Sequence, residues 1–168
     1  MLFRFMEGKE GMNFAPVFNA LLGSLDEASK GLIVRRLEDN IPTTAAEQRA
    51  WFEPYLGPVE GGQRKHYEGM ARNLKRTLVF NNGISPVGLL RSCLDFALND
   101  HTKLGGVFEV VTERFRVKGA RNLLDSVQAL NDFRNTRIAH QEEPLQDVAL
   151  AKKELLRWVD TLKDIAQA

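Results

Sequence analysis

The stretch Leu123-Leu124-Asp125-Ser126-Val127-Gln128-Ala129-Leu130-Asn131-Asp132-Phe133-Arg134-Asn135-Thr136-Arg137-Ile138-Ala139-His140 decides how the chain is read. Leu123, Val127 and Leu130 recur at spacings of four and three, so they share one face of a helix. Four residues further that stripe meets Arg134 instead of a hydrophobe. Arg134 also stands seven residues past Val127, about two helical turns on, and points almost the same way. Its guanidinium is therefore aimed at or near the core or an interface, where it needs an acceptor or a water-filled cleft. Asn135 follows, and the helix runs into Ile138-Ala139-His140 before Glu142-Glu143 and the breaker Pro144.

Arg offers a permanently charged fork that matches phosphate oxygens, and His titrates near neutrality. Together with Asn135 they make an acid–base and phosphate-binding set. On an ideal helix, residues six apart differ in direction by about 120°. Arg134 and His140 therefore converge only if the helix frays or bends before His140, or if a second copy of the chain completes the site. By spacing alone the plainer reading is an Arg paired with a neighbouring carboxylate and a surface His near a helix end.

Leu130-Asn131-Asp132-Phe133-Arg134-Asn135-Thr136-Arg137-Ile138-Ala139-His140 resembles the signature of the HEPN superfamily, an Arg followed by a polar residue with a His five to seven positions later. The resemblance covers the C-terminal half. It implies a helical bundle that often dimerises with its two motifs facing each other and, in active branches, metal-independent RNA cleavage; other members keep the fold without activity. On that resemblance Arg134, Asn135 and His140 are the catalytic candidates. The implied partners are a second copy of the chain, RNA, and either a larger parent protein or an antitoxin, in a setting of defence or toxin–antitoxin function.

A chain of 168 residues fills one well-buried core and falls short of two. With 43% hydrophobic and 27% charged residues it is globular, not disordered. The net charge of +1 supplies no global field for nucleic acid, so RNA must be met by a local patch. Cys93 is the single cysteine; it lies in the apolar run Leu89-Leu90-Arg91-Ser92-Cys93-Leu94 and reads as a buried thiol. His66, His101 and His140 are too scattered for a zinc site, so neither metal nor cofactor is expected. No apolar run is long enough to span a membrane and no signal-peptide pattern opens the chain, which predicts a cytoplasmic location.

Along the chain, Met1 to Gly11 is an apolar lead-in broken by Glu7-Gly8-Lys9-Glu10-Gly11; it suits an arm or, better, the point where a larger protein was cut. A helix is predicted over Asn13–Leu22, ended by Gly23-Ser24, with a second from Leu25 to about Leu37. Thr44-Ala45-Ala46-Glu47 matches a capping box and opens a helix through Trp51 and Phe52. Val59 to Gly62 reads as a linker. The helix from Gln63 to about Phe80 sets Tyr67, Met70, Ala71, Leu74 and Leu78 on one side and Arg64, Lys65, Arg72, Lys75 and Arg76 on the others. With Arg137, those five are the RNA-binding candidates; a solvated basic face is the plainer alternative.

Ser85-Pro86 supplies an N-cap and a first-turn proline for a helix to about Leu98 that is apolar almost all round, and so central. Val107 to Phe115 has strand-like composition, but Phe108, Val111 and Phe115 sit at helical spacing and no partner strand exists, which predicts a helix. A last helix after Pro144 carries the near-heptad stripe Val148, Leu155, Val159, Leu162 and Ala166, with Trp158 beside it. The sum is one all-α domain over 1–168. It is a bundle of about seven helices, with an N-terminal helical extension at 12–58 and a HEPN-like bundle at 63–168. The function expected is a HEPN-like metal-independent endoribonuclease or RNA-binding domain; the alternative is a non-catalytic dimerisation or adaptor domain.

Overall fold

The computed structural model describes residues 13–57, 59–100, 102–138 and 145–168. The lead-in through residue 12, His101 and the motif's Ala139 and His140 lie outside them. Every regular element among the described residues is helical. Among the described residues are seven α-helices: α1 (Ala15–Leu37), α2 (Ala45–Phe52), α3 (Gly61–Leu78), α4 (Pro86–Asn99), α5 (Val107–Phe115), α6 (Ala120–Phe133) and α7 (Val148–Gln167). A 3-10 turn, Glu38–Asn40, follows α1, and a π-helical segment, Arg134–Ile138, continues α6.

The predicted break at Gly23-Ser24 does not occur: α1 runs unbroken for 23 residues. Both residues are exposed, and nothing approaches the open side of Gly23. Meanwhile Phe18, Leu25, Ser29, Leu32 and Ile33 keep one buried stripe running through the supposed junction. A glycine in a helix interior costs about 0.5–1 kcal/mol, whereas burying a single Leu or Ile side chain stabilises by about 1.5–3 kcal/mol. The stripe wins.

The capping box forms as read, with the Glu47 amide donating to Thr44 Oγ1 at 3.3 Å and the Thr44 amide to Glu47 Oε2 at 3.4 Å. Val59 to Gly62 is not a linker. Val59 is in the core, its amide bonded to Leu56 O at 3.0 Å, and Gly61-Gly62 open α3. Nor does Ser85 cap α4 through its side chain: it takes a left-handed conformation, and Asp26 of α1 accepts the Val87 amide instead, at 3.1 Å. That bond pins the start of α4 to the middle of α1.

α4 is the central helix, packed against α1, α3, α5 and α6. Its buried face carries Val87, Leu89, Leu90, Cys93, Leu94, Phe96 and Ala97. α5 is helical, as its spacing required, and buries Val107, Phe108, Val111 and Phe115. Gly106 enters it at φ +63°, where an added Cβ would stand 2.4 Å from the Trp51 carbonyl oxygen, so this contact with α2 admits only glycine. The Tyr67 hydroxyl donates to the Asp100 carboxylate, tying α3 to the end of α4. Burial, then that carboxylate, pushes the Tyr67 hydroxyl above the usual phenol range.

The stripe predicted for α7 is shifted. The buried residues are Ala151, Glu154, Leu155, Trp158, Thr161 and Ile165, while Val159 and Ala166 are exposed. Trp158 is fully enclosed, edge-on to Phe18 of α1 at 4.9 Å. The Phe14 amide donates to Leu145 O at 2.9 Å, so α1 and α7 start side by side. α7 packs on both α1 and α6, which places the N-terminal helix inside the common core.

Candidate functional site

The buried stripe of α6 is Leu123, Val127 and Leu130, with Leu124 and Asn131 beside it. Phe133 closes the α-helical part, its ring 5.2 Å from Phe18 and 6.3 Å from Trp158. At Arg134 the hydrogen bonding changes: the Arg134 amide is shared between the Leu130 and Asn131 carbonyls, and residues to Ile138 adopt the wider π turn. The Thr136 hydroxyl donates to Asp132 O at 2.7 Å, helping to open the ladder. Single π turns within α-helices recur at functional positions because they reorient side chains at a cost in hydrogen bonding. Ideal α-helical spacing therefore does not carry through Arg134–Ile138.

Arg134 is half-buried, as its place on the stripe required. Among the described residues no carboxylate or carbonyl pairs with its guanidinium. Asn135 and Arg137 are exposed on the same segment. Thus Arg134, Asn135 and Arg137 share one π turn that an aromatic cluster of α1, α6 and α7 supports from below.

One buried acid had no signal in the sequence. Glu154 on α7 is only 6% exposed, and its Oε2 has no hydrogen-bond partner beyond a long ion pair to Arg157 at 3.8 Å. It sits one turn before Trp158, on the face that α7 turns to α1 and α6. Trp158 Nε1 is likewise buried without an acceptor. A glutamate on an amphipathic helix ordinarily reads as solvated, so only packing reveals these two groups.

The basic residues of α3 divide. Arg64 is bound to Glu68 at 3.1 Å. Arg72 and Lys75, with Arg64, line a cleft of about 430 Å³ between α3 and the end of α2. Lys65 lines a different groove, between α3 and α4, and Arg76 is half-buried near the helix end. No residue of α6 or the π segment lines the Arg72 cleft, so the motif and these cations form two separate surfaces. His66 is exposed, its ring 5.8 Å from Tyr67. Among the described residues no three His, Cys, Asp or Glu side chains gather as a metal site, and no helix is long and apolar enough to cross a membrane. Comparison with protein-family models, curated proteins and solved structures gives no match.

Proposed function

We propose that the chain is a HEPN-like domain that binds RNA and cleaves it without a metal, acting as a homodimer. The observation that carries this is Arg134: a half-buried residue at an α-to-π transition, whose guanidinium pairs with no acid among the described residues. A guanidinium without a partner offers its fork of donors to an incoming phosphate. In this reading Arg134 binds the scissile phosphate and stabilises its developing charge. His140 serves in general acid–base transfer as the 2′-hydroxyl attacks phosphorus and the 5′-oxygen leaves, giving a cyclic phosphate. Asn135 orients the phosphate or the imidazole, and Arg137 adds a phosphate contact. A larger parent protein or an antitoxin would restrain the activity.

The test is cleavage of a labelled mixed RNA in EDTA by the parent chain, His140→Ala and Arg134→Ala, with oligomeric state followed in parallel. Loss of one well-placed charge-stabilising donor is expected to slow cleavage by about 10²–10³-fold. Because Arg134 holds no ion pair among the described residues, Arg134→Ala should change stability by no more than about 0.5 kcal/mol. A folded parent dimer that leaves RNA intact would overturn the nuclease reading.

A second reading, a non-catalytic dimerisation or adaptor domain, is favoured by exposed hydrophobes. Phe80 and Ile84, 60% and 59% exposed, flank the α3–α4 turn, and Leu156 and Val159 are exposed one turn apart on α7. Apolar surface of this kind serves association.

A further inference from the structure

The cleft between α2 and α3 has the parts of a nucleotide site. Its floor is apolar, formed by Phe52, Leu56 and Ala71, and Pro54, Arg72 and Lys75 stand on its walls. The two carboxylates at its edge are occupied: Glu68 by Arg64 at 3.1 Å, and Glu53 by Arg49 at 3.2 Å. Arg72 and Lys75 are left with no carboxylate partner among the described residues, and the Lys75 ammonium lies 6.0 Å from the centre of the Phe52 ring. Two cations over an apolar floor form a positive recess in a chain whose net charge is only +1.

Tyr55 stands in sequence between Pro54 and Leu56, both of which line the cleft, and is itself 85% exposed. Its ring passes over Gly57 so closely that a Cβ there would lie 2.0 Å from the ring atoms. Glycine at 57 thus lets the ring rest on the backbone, with the rest of it open to water. An aromatic side chain left almost wholly in solvent forgoes the burial that makes such residues valuable, and a neighbouring cationic recess gives it a use.

We infer that this cleft holds one nucleotide of single-stranded RNA, its phosphate on Arg72 and Lys75 and its base stacked on Tyr55. The inference rests on the RNA-binding reading above and adds an attachment point apart from Arg134. An unpaired base is required, because a base in a duplex offers no free face for stacking. The cleft volume, about 430 Å³, lies within the range of small-ligand sites, roughly 300–1,000 Å³.

The test is fluorescence anisotropy of a labelled mixed-sequence single-stranded 12-mer RNA titrated with the full chain at several salt concentrations. The variants are Arg72→Gln/Lys75→Met, which keeps both stems, then Tyr55→Ala, Tyr55→Trp and Arg134→Ala, each checked for helicity and melting. Losing both cations from this one phosphate should weaken binding at least tenfold and flatten the log–log salt slope by about 0.7. Tyr55→Ala should weaken it by about 5- to 150-fold, and Tyr55→Trp should restore it. Binding that falls in Arg134→Ala but not in the cleft variants would overturn this site and leave the RNA reading standing. Loss in the charge variant with no effect of Tyr55→Ala would overturn the nucleotide assignment in favour of a simple anion site. A parent chain that binds no RNA at any salt concentration would overturn both.

Discussion

At the residue scale the chain separates groups poised for chemistry from groups sealed away from it. Cys93 belongs to the second kind: full burial on α4 pushes its thiol far above the ordinary range, so it stays protonated and unreactive. In the unfolded chain the same thiol ionises from about pH 8.5 upward. Above that pH the unfolded state has lost a proton that the folded state keeps, so folding stability falls as pH rises. The loss approaches about 1.4 kcal/mol for each pH unit beyond the unfolded value. Urea unfolding at pH 7 and pH 9.5 should therefore show a steeper decline for the parent chain than for Cys93→Ala. In the proposed function Arg134 belongs to the first kind. Its direction was legible, because a stripe of Leu123, Val127 and Leu130 continues onto it. The absence of a partner among the described residues was not, since a partner is chosen by neighbours distant in sequence.

At the element scale, two glycines show how context sets the sign of one substitution. Gly23 lies mid-helix in α1, exposed, with open space where a Cβ would stand. Gly23→Ala should raise stability by about 0.5–1 kcal/mol by restricting the unfolded chain. Gly106 has φ +63° and the Trp51 carbonyl pressed against it. Gly106→Ala should cost about 1–3 kcal/mol, from left-handed strain and the displaced backbone of α2. Thermal melts of the two variants, moving in opposite directions, check both statements. The sequence signals differed just as much in what they meant. Thr44 and Glu47 cap α2 as their spacing implied, because a capping box is closed by residues three apart. Ser85 looked equally convincing beside Pro86, yet α4 draws its cap from Asp26, sixty-one residues away.

At the scale of the whole molecule, α4 is the axis on which the other helices are hung. Leu90, with no exposed surface, lies at its centre. Leu90→Ala should cost about 2–5 kcal/mol through lost burial and an unfilled cavity. Against a typical total of about 5–15 kcal/mol, the denaturation midpoint should drop sharply. Equilibrium denaturation followed by tryptophan fluorescence measures this, with Trp158 reporting from the seam of α1, α6 and α7. The separation of Arg72 and Lys75 from the π turn is also decided at this scale. The two surfaces lie on helices that meet mainly through α4, and no single stretch of chain contains both.

Helix identity, the apolar axis of the bundle and the half-buried place of Arg134 are written in local spacing, because a helix repeats every 3.6 residues wherever it lies. Fusion of the first two predicted helices, burial of Glu154 in place of Val159, and the α-to-π switch are not local. Each depends on which distant side chains claim the available space: Phe18 beside Trp158, Leu145 against Phe14, Asp26 at the head of α4. Spacing fixes which way a residue faces on its helix. What stands opposite is fixed only when the helices pack.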